Sequence, residues 1–130
     1  MDLPLTMQDN LREKLLAPYS GQSEFGGVRY FRGLPLKVLQ QMIDHSFVEL
    51  GPWNECRGVA ALFLPFLKAH PECTAHGYAV SPGGPDCRVT IEGIEKVGRL
   101  STEEVIDIAN AFRDADELEL TNDYVRCWYD

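Results

Sequence analysis

Four cysteines and three histidines are the residues of this 130-residue chain best suited to nucleophilic or metal chemistry. Cys73-Thr-Ala-His76 has the spacing of a ligand pair, and Cys56 and Cys87 flank it, so a four-ligand zinc site can be drawn. The matching second pair is missing, because Cys56, Cys73, Cys87 and Cys127 contain no Cys-x-x-Cys. A catalytic thiol needs a base within reach and a third group to orient that base. Cys73 or Cys56 with His76 is the candidate set, and His45 and His70 are further imidazoles. A small Cys/His-dependent hydrolase or transferase is therefore the alternative reading. Strand alternation from residue 75 onward would point Cys73 and His76 apart, unless a turn intervenes. The chain also lacks a Gly-x-Ser-x-Gly elbow and a His-Glu-x-x-His pair. The expectation is reduced, mostly buried thiols, no metal and no cofactor.

Charge carries more information than the thiols. The chain holds 12 Lys plus Arg against 20 Asp plus Glu, a net charge of −8. Residues 1–100 account for only −1 of it, and the last thirty residues carry the rest. There Glu103, Glu104, Asp107, Asp114, Asp116, Glu117, Glu119, Asp123 and Asp130 face only Arg113 and Arg126. Such a surface disfavours a nucleic-acid backbone or an anionic membrane as direct partner, and it would steer the approach of a basic protein. The plainer alternative is a solvated face that keeps the protein soluble. Arg29-Tyr-Phe-Arg32 interleaves aromatics and arginines, but two arginines release few counterions. Asp114-Ala-Asp116-Glu117-Leu-Glu119 alternates acids without the glycine a calcium loop turns on. Gly26-Gly27 lacks the Lys and the Ser or Thr of a phosphate loop.

The elements that must position these residues read as one domain over 1–130, with 1–27 loosely specified. Its longest apolar run, at 59–67, is far short of the roughly 20 residues that span a bilayer. No basic-then-apolar leader is visible, so the location is read as cytoplasmic. Leu11, Leu15 and Leu16 mark a short helix over 7–16 that Pro18 stops. Glycines and serines give 19–27 the chemistry of a loop, and 28–31 reads as a short strand. Pro35 suits a first helical position before Leu36, Leu39, Met42 and Ile43. Asn54 reads as the cap of a helix with Val59, Leu62, Phe63, Phe66 and Leu67 as its buried stripe, interrupted at Pro65. Residues 76–81 and 87–92 alternate as strands around a five-residue Pro/Gly loop. Ser101-Thr-Glu-Glu104 is a capping box for a helix over 101–113, buried through Val105, Ile108, Ala109 and Phe112. A second hairpin, 117–120 and 124–128, closes the chain.

These elements make an α+β fold: N-terminal helices followed by a β-β-α-β-β unit, with a mainly antiparallel four-stranded sheet. If one helical layer covers the apolar face, the other face displays Arg88, Glu92, Glu117, Glu119, Tyr124, Arg126 and Trp128. Aromatics among charges suit a protein-binding surface. The alternative is that the N-terminal helices cover this face too. The expected function is a small acidic non-enzymatic interaction module, an immunity- or inhibitor-type binder of a basic protein. Its candidate binding residues are Glu103, Glu104, Asp107, Glu117, Glu119, Tyr124, Arg126 and Trp128.

Overall fold

The computed structural model describes residues 5–25, 28–53, 56–80 and 89–129. The Asn54 cap, the Pro/Gly loop, Cys87 and Arg88 lie outside them. The architecture is α+β, with helices against one antiparallel sheet. In chain order the elements are α1 (Leu5–Leu16), β1 (Ser20–Phe25), β2 (Val28–Leu34), α2 (Leu36–Asp44), α3 (Leu64–Ala69), β3 (Thr74–Val80), β4 (Val89–Val97), α4 (Thr102–Ala111), β5 (Glu117–Thr121) and β6 (Tyr124–Trp128). The sheet has six strands in the order β1-β2-β3-β4-β6-β5, and not four. Local composition hid the difference. Ser20–Phe25 carries glycine and serine, which locally favour turns, yet it pairs with β2 as an edge strand.

Helix starts follow local chemistry. Pro35 stands one position before the first turn of α2, with extended backbone, and its carbonyl accepts from the Val38 and Leu39 N–H groups. After Gly58, at φ +88°, residues Val59–Phe63 wind as a wide π turn that narrows to the α form at Leu64. Pro65 thus falls in the first turn of α3, directly after the wide turn. Ser101 and Glu104 cap α4 reciprocally, at 3.1 and 3.0 Å.

Two bulges set which way the central strands face. β3 is the straight reference, and each neighbour carries one extra residue beside it. β2 shifts register between Phe31 and Leu34, around Gly33 at φ +69°, and β4 shifts opposite His76 and Gly77. Phe31 with Leu34, and Ile91 with Ile94, therefore all reach the core although each pair is three positions apart.

Every described helix contributes to a single buried cluster on that face. Leu16, Leu39, Met42, Phe63, Leu67, Ile108 and Phe112 meet Phe31, Ala75, Ile91, Ile94, Val125 and Cys127 there. Phe112 packs on Phe63 and edge-on to Phe66, with centroids 6.3 and 4.8 Å away. Burying such rings is worth roughly 1.5–3 kcal/mol each. No described helix is long and apolar enough to cross a membrane.

Candidate functional site

The opposite face of the sheet takes no buried helical side chain among the described residues. The even positions of β2 and β6 supply it: Tyr30 and Arg32, then Tyr124, Arg126 and Trp128, alternating with buried Phe31, Val125 and Cys127. Tyr30 stands edge-on to Tyr78 at 6.1 Å and is 56% exposed, and Val97 is 80% exposed.

Glu95 organises the centre of this face. The β4 bulge turns it away from the core, yet its neighbours leave it only 5% exposed. Arg32 grips its carboxylate with three contacts, from Nε at 3.3 and 3.2 Å and from Nη2 at 2.6 Å. The Gly33 N–H donates to the same group at 3.2 Å, and Arg126 Nε lies 3.9 Å away. Burial pushes the Glu95 carboxyl up, but the bonds and charge of Arg32 outweigh it, and the group lies below its ordinary range. Arg126 also stacks on Trp128, its guanidinium carbon 4.8 Å from the ring. Glu119 stands directly opposite Arg126, and Glu117 opposite Trp128. Glu95 thus fixes Arg32 directly, and Arg126 in turn stacks on Trp128.

His76 locks the same region from beneath. Its Nε2 donates to the Cys127 carbonyl at 2.7 Å, and its ring meets Trp128 edge-on at 6.3 Å. Only a glycine permits this reach, because a Cβ on Gly93 would sit 2.7 Å from Nε2 and 1.8 Å from the carbonyl oxygen. Burial lowers the His76 pKa, so the ring is a neutral structural donor.

Among the described residues, the structure does not bring the catalytic or zinc candidates together. Cys73 is fully buried in the core, whereas His76 points to the other side of the sheet. Cys56 is buried and its sulfur accepts from the Gly58 N–H. Burial raises the Cys56 pKa and pushes Cys73 and Cys127 up to about 12, the reverse of what a nucleophilic thiol requires. A cleft of about 460 Å³ opens beside Arg32, Thr74, Glu95 and Lys96, and another of about 410 Å³ runs between α3 and α4. Neither joins a thiol to an imidazole.

The acidic candidates are also divided. Glu117 and Glu119 lie exposed on the open face beside Tyr124, Arg126 and Trp128. Glu103, Glu104 and Asp107 belong to α4, on the helical side, and two of them are already engaged. Lys96 donates to Glu104 at 2.9 Å; together with the Ser101 cap it holds that carboxyl down at about 2. Asp107 accepts from His70 Nε2 at 3.0 Å. Sequence reasoning missed Tyr30, Arg32, His76 and Glu95 as members of the open face. Glu95 follows the β4 bulge, which strict alternation does not anticipate, whereas Arg32 keeps the alternation of β2. No protein-family model, curated protein or solved structure matches this chain.

Proposed function

We propose that the protein is a small non-enzymatic interaction module that binds a basic protein partner, in the manner of an immunity or inhibitor protein. The docking surface is the open sheet face with its acidic β5–β6 edge: Tyr30, Tyr124, Arg126, Trp128, Glu117 and Glu119. One observation carries the reading. On a sheet face that no helix covers among the described residues, Arg32 and Arg126 gather at Glu95 and Arg126 stacks on Trp128, with exposed carboxylates at the margin. Preordered aromatic and Arg anchors with a charged rim are what protein interfaces use, and ordering them beforehand lowers the cost of association. A cytoplasmic setting, where thiols stay reduced, suits the buried Cys56, Cys73 and Cys127.

The test is capture from the native host, followed by kinetics with the captured protein. Wild type is compared with Trp128→Ala, with Glu117→Gln plus Glu119→Gln, and with Glu103→Gln on α4. Association should be faster at low salt, fall in the first two variants and persist in the third. Equal association by all four proteins overturns the assignment of this face.

A further inference from the structure

We propose that His70, Glu72 and Glu104 bind one divalent first-row transition cation of the zinc class. The three residues come from different places in the chain: His70 closes the C-terminus of α3, Glu72 lies in the turn before β3, and Glu104 stands in the first turn of α4. One ligand atom from each lies within 4.8 Å of the others. His70 Nδ1 and Glu72 Oε1 are 3.6 Å apart. That is too long for a hydrogen bond, yet near the roughly 3.4 Å between two ligands of a tetrahedral ion with bonds of about 2.1 Å. Glu72, whose side chain is 41% exposed, is free to close the remaining distance.

The imidazole distinguishes this cluster from a patch of surface acids. Its Nε2 faces Asp107 Oδ2 at 3.0 Å, and a carboxylate only accepts, so Nε2 carries the proton. With the proton on Nε2, Nδ1 on the Glu72 side is the nitrogen that would offer its lone pair to the ion. A carboxylate behind the far nitrogen is the usual support of a metal-bound histidine, fixing its tautomer and raising its basicity. The ring also packs on Phe66, centroids 4.7 Å apart, with its side chain only 12% exposed, so its direction is set before any ion arrives.

Charge points the same way. Glu72, Glu104 and Asp107 bring three negative charges, and Lys96 is the ammonium set against them. A divalent cation would bring this group to neutrality. Lys96 does not have to leave, because Glu104 uses one lone pair for it and one for the Ser101 N–H, and the carboxylate has about four. One imidazole with two carboxylates suits zinc, cobalt or manganese and gives soft copper(I) no thiolate.

Calorimetric titration of the full chain with zinc at neutral pH should show one equivalent bound. His70→Ala and Glu72→Gln should each weaken binding at least about tenfold, and Asp107→Asn about tenfold through the imidazole. Glu103→Gln, on the same helix, should leave it unchanged. Cobalt loading should give the weak bands of nitrogen and oxygen ligation without thiolate charge transfer. Should His70→Ala fail to fold, the exposed Glu72→Gln decides the matter. Absence of zinc uptake, uptake indifferent to the ligand variants, or a thiolate band would each reduce the cluster to a salt-bridge network and overturn the proposal. None of this depends on the docking reading, although Glu72 lines the same cleft as Arg32 and Glu95.

Discussion

His76 and Cys127 are joined across an intervening strand. The histidine leaves β3, crosses β4 at Gly93 and donates to a β6 carbonyl 2.7 Å away. Beyond that point β6 returns to β4 through the Tyr129 N–H, which donates to the Glu92 carbonyl at 2.8 Å. The bond thus spans a gap between β6 pairings. Gly93→Ala would force the carbonyl and the ring away together, destabilising the fold by about 2 kcal/mol or more. Gly51→Ala is the control, since its Cβ would meet nothing closer than 3.9 Å. Urea midpoints of the two variants should separate clearly.

Glu95→Gln keeps the shape of the side chain and removes its charge. Arg32 and Arg126 would then face a neutral amide at the centre of the sheet. The expected cost is about 1–3 kcal/mol, the range for hydrogen bonds to charged groups. Much of Arg32 is solvent-exposed, so water offsets part of the loss. Denaturant unfolding reads the difference, and the near-ultraviolet circular dichroism of Trp128 should change with it.

Acid should remove stability in two stages. His76 titrates below its ordinary 6.5 in the fold, so the unfolded chain takes up a proton that the folded chain refuses. Stability present above that value is lost as pH falls from 6.5 toward the folded pKa. Glu95 titrates below 4.5, and its contribution persists above that value and disappears as pH falls through the folded one. Urea midpoints at about pH 7.5 and about pH 5.5 isolate the histidine. His76→Gln should lose less between those two values than wild type does, and parallel losses would remove the first stage.

Phe112→Ala opens a hole between α4, Phe63 and Phe66. The ring is fully buried, and truncation should cost about 3–5 kcal/mol. A melting temperature within about two degrees of wild type would mean that the cavity had collapsed almost completely.

Neutralising the acidic segment should separate its two halves. Ser101→Ala breaks the capping box, at about 1 kcal/mol, whereas Glu104→Gln keeps an acceptor for the Ser101 N–H and gives up only the charge facing Lys96. Glu117→Gln with Glu119→Gln should stay within about 0.5 kcal/mol, because both side chains are exposed. Thermal melts of the three proteins check the division.

Much of the C-terminal half is legible in the sequence because its signals are local. The Ser101 box, Ile108 and Phe112 of the stripe, and the 117–128 hairpin are all short-range patterns, and they stand where they were expected, whereas Ala109 of the same stripe is exposed. The strand over 28–31 is legible in the sequence but its neighbour β1 is not, because β1 owes its state to pairing with β2, which in turn pairs with the distant β3, and not to its own composition. The acidic segment looked continuous as charge along the chain. The fold packs α4 on the helical side of the sheet and makes β5 its edge strand, so Glu104 and Glu119 have different partners. Glu95 and His76 became visible only once the bulge and Gly93 were in place.

The paired bulges beside β3 also bear on chain length. A strand that alternates regularly can gain or lose two residues and keep its faces, but β2 and β4 each depend on one supernumerary position. Deleting a single residue there would turn everything beyond it inside out, sending Glu95 into the hydrophobic cluster and Ile94 into water. These two sites are where the protein is most sensitive to insertion or deletion, whatever side chains it carries.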